Sequence, residues 1–402
     1  MRNAIAAAAA AAALVISLAG APARAQGKDD PSGKYAPGRV PKTMNEDEAR
    51  ASIDRAVAYL LAKQGADGAW GTSTVESLFE INYSNASFYA WKKAGAALCL
   101  MALLAVDETP ERRAALDKAL AYMCDSPIPK RGNDWDIDNN WTNLYAYQAM
   151  VAAARDPRFQ SSEHSSLRKR IEDRGVEYYR RLEMHQDPFG GWGYYEGPVV
   201  SRRPTWSTSF ATACVIPALV EGKKRGWPVD EKVIDRAVRY VARCRLPNGA
   251  YEYDLNPIPR IRGGEEINSA KGSLGRIQVA NWALREAGHG SVTDDAIRDG
   301  LDRFFRMHHF LDAARQKPIP HESYYANAGY FYLFGHYYAA LAINLLPESE
   351  REALHAQLRP HLVKVQWEDG SSMDFVGSTY CWTASTSFSI LALQAGLTTK
   401  SK

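Results

Sequence analysis

The chain has 402 residues, 46% of them hydrophobic and 24% charged, which allows a large buried core and excludes global disorder. Its formal charge is +3, and two positive residues, Arg2 and Arg24, lie in an N-terminal leader, so the remainder carries +1; so weak a bias excludes nucleic acid as a partner. With 10 Trp and 21 Tyr against 12 Phe, amphipathic aromatics dominate, which suits a cavity or groove with wet edges.

Arg2 forms a positive n-region, Ala4 to Leu18 an apolar h-region, and Ala23-Arg24-Ala25 an A-x-A cleavage signal. Residues 1–25 therefore read as a secretory signal peptide cleaved after Ala25, and the mature protein is expected to be exported, periplasmic or secreted. The apolar run is short for a span and ends at Gly20 and Pro22; with no twin Arg and no lipobox Cys, a general secretory route is implied. Cys99, Cys124, Cys214, Cys244 and Cys381 are scattered and odd in number, which does not make a disulfide framework, and at least the first four read as buried free thiols. Residues 26–45 are polar and aperiodic, a flexible lead-in; 46–397 read as one helical domain, and 398–402 as a tail.

The helical region repeats. Ile53-Asp54-Arg55-Ala56-Val57 recurs as Ile234-Asp235-Arg236-Ala237-Val238, each copy opening an amphipathic helix that ends in a glycine turn. Gln64 is followed by Gly68 and Trp70, Gln186 by Gly190 and Trp192, Arg245 by Gly249 and Tyr251, and Gln366 by Gly370 and Ser372, at common offsets. The anchors are 122, 59 and 121 residues apart, so one degenerate copy belongs in each long gap. Leu116 to Met123 leads to Gly132 and Trp135, and Ile297 to Met307 leads to a diverged turn near Asp312. That makes six units of about 60 residues.

Each unit has a second, more apolar helix rich in small residues: Ala94 to Ala105, Trp141 to Ala154, Ser207 to Val220, Gly275 to Ala287, Tyr330 to Leu346 and Thr383 to Ala395. One amphipathic and one nearly all-apolar helix per unit predicts two layers, the apolar helices inside. Six such hairpins close a ring of twelve helices, an all-α α/α toroid, without the polar end caps that an open solenoid needs.

Gln-x-x-x-Gly-x-Trp after Tyr59-Leu60 resembles the QW motif of squalene cyclases; the copy at Gln186 departs from it, with Arg181-Leu182 before the Gln. Glycine frees the backbone for the turn, the Trp covers the helix end, and the Gln amide is expected to serve unpaired backbone groups of helix termini. Over residues 46–397 the chain resembles the prenyltransferase/squalene-oxidase repeat proteins of the terpenoid cyclase and protein prenyltransferase superfamily. The resemblance implies inner-helix N-termini gathered at one mouth of a central cavity, so the loops before inner helices are expected to carry function.

Asp136-Ile137-Asp138-Asn139 resembles the D-x-D-D motif of class II terpene cyclases, whose middle Asp protonates an alkene or epoxide. On that match Asp138 is the acid and Asp136 its partner, clustered carboxylates raising one another's pKa. The sequence departs from the motif at Asn139 and at Asn140-Trp141, and the alternative is that Asp138, Asn139 or Asn140 caps the helix starting near Trp141. A prenyltransferase-like zinc site is incomplete: Cys381 and His336 stand in suggestive places, Thr379 replaces the Asp, and a third ligand is missing, so no metal is assigned and the cofactor is unknown. Lys92, Lys93, Arg202, Arg203, Arg260, Arg262, Lys271 and Arg276 fall in or near pre-helix loops, where helix N-termini and basic groups bind anions; Arg276, beside Gly272 and Gly275, is the strongest of these.

Trp135, Trp141, Tyr145, Trp206, Trp282, Tyr324, Tyr325, Tyr330, Tyr332, Tyr380 and Trp382 cluster at inner-helix starts, as faces for a carbocation or a sugar, about half of them expected to reach the cavity. His321 and Glu322 offer an acid/base pair on a loop. No P-loop, G-x-S-x-G, H-E-x-x-H or G-x-G-x-x-G occurs. Three functions follow: a cavity for an apolar small molecule or isoprenoid lipid with acid-initiated cyclase chemistry and contact with a membrane surface; an extracytoplasmic carbohydrate-active toroid, such as a polysaccharide lyase; or a non-catalytic scaffold for protein or peptide. The oligomeric state stays open.

Overall fold

The computed structural model describes residues 42–76, 80, 83–200, 204–255, 267–375 and 379–398. The expected signal peptide, the lead-in up to residue 41, Arg202, Arg203, Arg260, Arg262 and the tail after Thr398 lie outside them.

Thirteen α-helices of seven or more residues occur among the described residues, with no strand beyond three isolated bridges. The first hairpin is α1 (Glu46–Lys63) and α2 (Asn85–Ala105), the second α3 (Pro110–Asp125) and α4 (Asn140–Arg155). Next come α5 (Ser165–Met184) with α6 (Ser209–Lys224), and α7 (Glu231–Arg243) with α8 (Leu274–Glu286). The fifth pair is α9 (Asp294–Arg306) and α11 (Phe331–Ile343), with the short α10 (His309–Arg315) inserted between them. The sixth is α12 (Glu348–Val363) and α13 (Thr379–Ala395). Outer helices start at polar caps: Asn45 Oδ1 accepts from Glu48 N at 3.1 Å, and Thr109 Oγ1 accepts from Arg112 N at 3.2 Å with Pro110 in the first turn.

The second helices form the inner ring, each packing on the next: α2 on α4, α4 on α6, α6 on α8, α8 on α11, α11 on α13, and α13 back on α2. The expected six-hairpin toroid is therefore closed. Their low polarity all round follows from burial on two sides, against the outer ring and against the lumen. Small residues allow close approach: a Cβ on Gly335 would stand 3.0 Å from the Gly275 Cα, so α8 and α11 touch backbone to backbone. Two inner helices start earlier than the pattern predicts, α2 at Asn85 and α13 at Thr379, which brings Trp91 and Tyr380 onto helices.

The glutamines of the turns seal neighbouring repeats, and their tryptophans cap their own helices. Gln64 Nε2 donates to Gly68 O (3.0 Å) and to Ala115 O on α3 (2.8 Å); Gln186 Nε2 donates to Gly190 O (2.8 Å) and to Val233 O on α7 (2.9 Å). Gln366 Nε2 donates to Gly370 O (3.1 Å) and, closing the circle, to Ser52 O on α1 (2.9 Å). Gly68, Gly190 and Gly370 have φ of 86°, 106° and 87°, and a Cβ there would lie 2.4, 2.4 and 2.1 Å from Lys118 O, Arg236 O and Arg55 O. Glycine is required both for its left-handed backbone and for its missing side chain. Trp70 and Trp192 return their indole N–H groups to Leu60 O (2.7 Å) and Leu182 O (2.8 Å). The ends of the domain meet as well: Thr398 N donates to Glu46 Oε1 (2.9 Å), and Met44, expected in the lead-in, is buried with its N–H on Ala356 O (2.9 Å).

Candidate active site

The loop before α4 carries Asp136 and Asp138, and the structure gives them different work. Asp136 is 2% exposed, and its carboxylate accepts from Gly132 N (2.7 Å), Asn133 N (3.0 Å) and Asn133 Nδ2 (3.0 Å). Those bonds outweigh its burial and hold its pKa below the ordinary value. Asp136 is therefore a fully bonded anchor of its loop and not a proton donor.

The Asp138 carboxyl is surrounded by protein, while part of the residue's surface stays accessible. Trp91 Nε1 donates to its Oδ2 at 3.1 Å. Burial pushes its carboxyl up from 3.8 to about 7, against the partial relief of that bond. Asp136 is not the cause, so the expected mutual elevation of two carboxylates is corrected: desolvation alone makes the acid. Asp138 sits at φ 60°, in the left-handed region that side chains other than glycine seldom occupy. Such strain persists where surrounding contacts impose it.

The contacts that impose it come from its neighbours. Asn139 Oδ1 accepts from Glu196 N (3.1 Å), Asn140 N donates to Tyr194 O (2.9 Å), and Asn140 Nδ2 donates to Gly193 O (2.9 Å). Glu196, 3% exposed, is itself held by Arg131 N (3.2 Å) and by an ion pair with Arg181. Asn139, at the start of α4, makes no side-chain capping bond, so the capping alternative gives way to a tie between the loop and segment 193–196.

Tyr83, Tyr194 and Tyr330 face Asp138, and its charge adds to burial in pushing their hydroxyls up. Beside them Tyr380 stacks on Trp91 at 4.7 Å, and its hydroxyl donates to Glu80 Oε1 (2.7 Å). Trp141 stacks on Tyr145 (5.5 Å) and Tyr194 (5.6 Å), and Trp206 meets Tyr194 edge-on at 4.9 Å. Rings from helices that are not neighbours in the ring also meet across the lumen: Phe210 reaches Phe331 (5.0 Å), and Tyr145 reaches Phe388 (5.9 Å). The lumen between these helices is thus filled by the chain's own rings, and the aromatic cup around Asp138 adjoins them.

Tyr330 also contacts a base. His321 Nδ1 lies 2.7 Å from Ala326 O, a pure acceptor, so Nδ1 carries the hydrogen and Nε2 accepts from Tyr330 OH at 2.8 Å. Burial holds His321 below its ordinary pKa, so the ring is neutral near pH 7. Its expected partner Glu322 is exposed and takes no part.

Arg276, 1% exposed, donates through Nη2 to Ile267 O, while its Nε and Nη1 have no partner among the described residues. Its guanidinium lies 5.3 Å from the Tyr253 ring and 5.6 Å from Phe331. Burial lowers its pKa to about 10, still charged at neutral pH. The other expected anion ligands within the described residues are engaged elsewhere: Lys92 pairs with Asp67 (2.7 Å), Lys93 donates to Ser126 O (2.7 Å), and Lys271 donates to Tyr325 OH (3.1 Å).

Of the residues singled out in the sequence, Trp141, Tyr145, Trp206, Tyr330, Tyr380 and Arg276 lie in this aromatic region, and others do not. Trp135 is 77% exposed, and Tyr324 is also on the surface. Tyr325 packs edge-on against Phe310 of α10 (4.7 Å), Trp382 pairs with Trp367 (5.9 Å), and Trp282 lies against Tyr338 (5.2 Å). Tyr332 and His336 point away from the cup towards His308 and His361. Among the described residues the one group of three metal-ligating side chains is His308, His336 and His361; Cys381 is not in it and is buried beside Tyr380 and Glu80. Sequence reading missed Trp91, whose position within an apolar helix resembles core, and Tyr194, which follows the glycine turn at Gly190 and Trp192; position in the turn was the available signal for Tyr194.

No profile of a known protein family matches the chain. A curated relative, drimenyl diphosphate synthase of Streptomyces showdoensis, is 26% identical over 207 residues, 51% of this chain and 33% of the relative, so the chain spans about a third of that relative's length. Among solved structures, the type II terpene cyclase MstE from Scytonema superposes with a TM-score of 0.51 at 12% identity, over 87% of this chain and 98% of that one. A variant of MstE in complex with its substrate, geranylgeranyl dihydroxybenzoate, superposes at 0.50 and 13% identity over 87% and 98%. A β-1,3-1,4-glucanase from Paenibacillus sp. X4 superposes at 0.50 and 11% identity over 89% and 94%. These likenesses show the α/α-toroid fold, common to terpene cyclases and a glucanase, and the chain resembles the terpenoid cyclase superfamily.

Proposed function

We propose that the protein is an exported, class II-type cyclase that protonates an alkene or epoxide of an isoprenoid-like substrate with Asp138. The observation that carries this reading is a buried carboxyl with a pKa of about 7, bonded among the described residues by Trp91 and flanked by aromatic faces. The Asp138 O–H bond breaks as its proton joins one alkene carbon, leaving a carbocation and the Asp138 carboxylate. A second alkene of the same chain attacks the cation, forming the ring bond and passing the charge on. The Trp91, Tyr380 and Trp141 faces stabilise it, at up to about 2 kcal/mol each where water is excluded. Loss of a proton to His321, directly or through Tyr330, ends the reaction with a new double bond. The unpartnered N–H groups of Arg276 suit an anionic or phenolic end of the substrate.

The substrate held by MstE and the reaction named in the Streptomyces relative support an isoprenoid ligand. The signal peptide read at residues 1–25 supports an extracytoplasmic site of action, where membrane isoprenoids are the source of substrate and the mouth would work at a membrane surface. A glycoside-cleaving reading shares the fold, but such enzymes use two working carboxylates. Here Asp136 is saturated with hydrogen bonds, which favours the single-acid reading.

The test is turnover by the mature protein, residues 26–402, of farnesyl- and geranylgeranyl-bearing phenols, acids and diphosphates, read by mass spectrometry of extracts. Cyclised isomers of unchanged mass that vanish in Asp138→Asn are expected. Absence of cyclisation with every prenyl substrate, alongside cleavage of β-glucans or polyuronates, would overturn the reading.

A further inference from the structure

The fifth repeat lacks the glutamine turn that seals its neighbours, and something else stands in its place. Gln186 and Arg245 lie two residues beyond the ends of α5 and α7; two residues beyond the end of α9 stands His308. Like the glutamines, it faces the next outer helix, here α12. Its Nε2 lies 3.0 Å from His336 Nε2 on α11, and its ring stacks on His361 of α12 at 3.6 Å. One ligating atom from each ring lies within 4.8 Å of the others, and His308 and His336 are 3% and 0% exposed.

The hydrogens can be assigned from the partners. His308 Nδ1 is 2.9 Å from Asp312 Oδ2, and the other oxygen of Asp312 accepts from Lys364 Nζ at 2.7 Å. His308 and Lys364 outweigh burial and keep Asp312 ionised, so it only accepts, and His308 carries its hydrogen on Nδ1. His336 Nδ1 is 2.7 Å from Tyr332 O, which also only accepts. Neutral rings therefore direct two bare Nε2 lone pairs at each other across 3.0 Å. His361 Nδ1 is buried with no partner.

We propose that His308, His336 and His361 bind a zinc-class transition-metal ion that joins the α9–α10 junction, α11 and α12. Two Zn–N bonds of about 2.0–2.1 Å at a tetrahedral angle place the nitrogens about 3.3 Å apart, close to the spacing of His308 and His336. Ring centroids at 5.0 Å (His308–His336) and 5.8 Å (His336–His361) suit imidazoles radiating from one centre. Ligation asks one movement, the His361 ring turning off its stack on His308. The outer partners are those of a built site: a carboxylate on the Nδ1 of one ring and a backbone carbonyl on that of another, fixing both tautomers for ligation through Nε2. A fourth position remains for water. The site lies outside the aromatic cup and acts as a staple where the glutamine turn is absent.

The test uses untagged mature protein purified without chelators. Elemental analysis is expected to find about one zinc-class ion per chain. After stripping, cobalt(II) should restore the visible absorption of a tetrahedral site, and zinc should raise the thermal midpoint. His361→Ala should abolish the cobalt spectrum. Asp312→Asn, which keeps the ligands, should weaken zinc binding about 10- to 100-fold. If His361→Ala does not fold, Asp312→Asn and the wild-type titration decide. A folded wild-type protein that carries no metal and gives no cobalt spectrum overturns the proposal and leaves a shared proton between His308 and His336.

Discussion

Replacing Asp138 by Asn tests the acid through stability as well as through turnover. The folded carboxyl titrates at about 7 against 3.8 for an ordinary one. Its folded-state pKa is raised, so between those values the native state holds a proton that the unfolded chain has released, and stability falls as pH rises. Below pH 3.8 both states are protonated and the group costs nothing. At pH 6 the cost is about 3 kcal/mol, and above pH 7 it levels off near 4 kcal/mol, at 1.36 kcal/mol per pH unit. Asn has the same shape and cannot ionise. Asp138→Asn should therefore match the wild type near pH 4 and exceed it by about 3–4 kcal/mol at pH 8, while losing cyclisation, the trade expected of a strained functional group. Denaturant unfolding of both proteins at pH 4, 6 and 8 measures this. A stability difference independent of pH would refute the argument that burial holds Asp138 neutral.

In the active protein kcat/KM should fall about tenfold per pH unit above pH 7, because the donor must be protonated; a flat profile to pH 9 excludes Asp138 as the acid. Trp91→Phe removes the one bond that favours the ionised carboxyl, so the alkaline limb should move to higher pH; movement to lower pH contradicts the assignment. Gly370→Ala combines an unfavourable φ with a Cβ 2.1 Å from Arg55 O and should cost about 3–4 kcal/mol, as the Gln366 bonds to α1 are lost too. Gly249→Ala, at φ 81° with its nearest contact at 3.5 Å, should cost about 1 kcal/mol; equal losses would mean that the clash at the ring closure is relieved cheaply. Trp135→Ala, at an exposed site, should alter stability by less than about 0.5 kcal/mol and leave product formation intact.

The repeat period carried the fold. The offsets from Gln64 to Gly68 and Trp70, seen again after Gln186, come from a local requirement: a left-handed glycine pressed against a neighbouring helix, and an amide that reaches it. A requirement of that kind recurs wherever the turn recurs, so it is written in every copy. The two helix types were legible for the same reason, since an inner helix buried on two sides must be apolar all round. The site was legible only as a place. Inner-helix starts were marked, but direction was not: Tyr332 and Tyr330 are two residues apart, and one faces the histidines while the other faces Asp138. Asp136 and Asp138 look alike in the chain, and only the fold decides that Gly132 and Asn133 saturate the first while desolvation leaves the second protonated. Trp91 reaches Asp138 from the neighbouring repeat, and His308 and His336 of the fifth repeat meet His361 of the sixth, contacts set by how the repeats pack. Periodic sequence specifies what each repeat needs from its neighbour, whereas a pKa or a ligand set depends on which groups from distant repeats share one enclosed space.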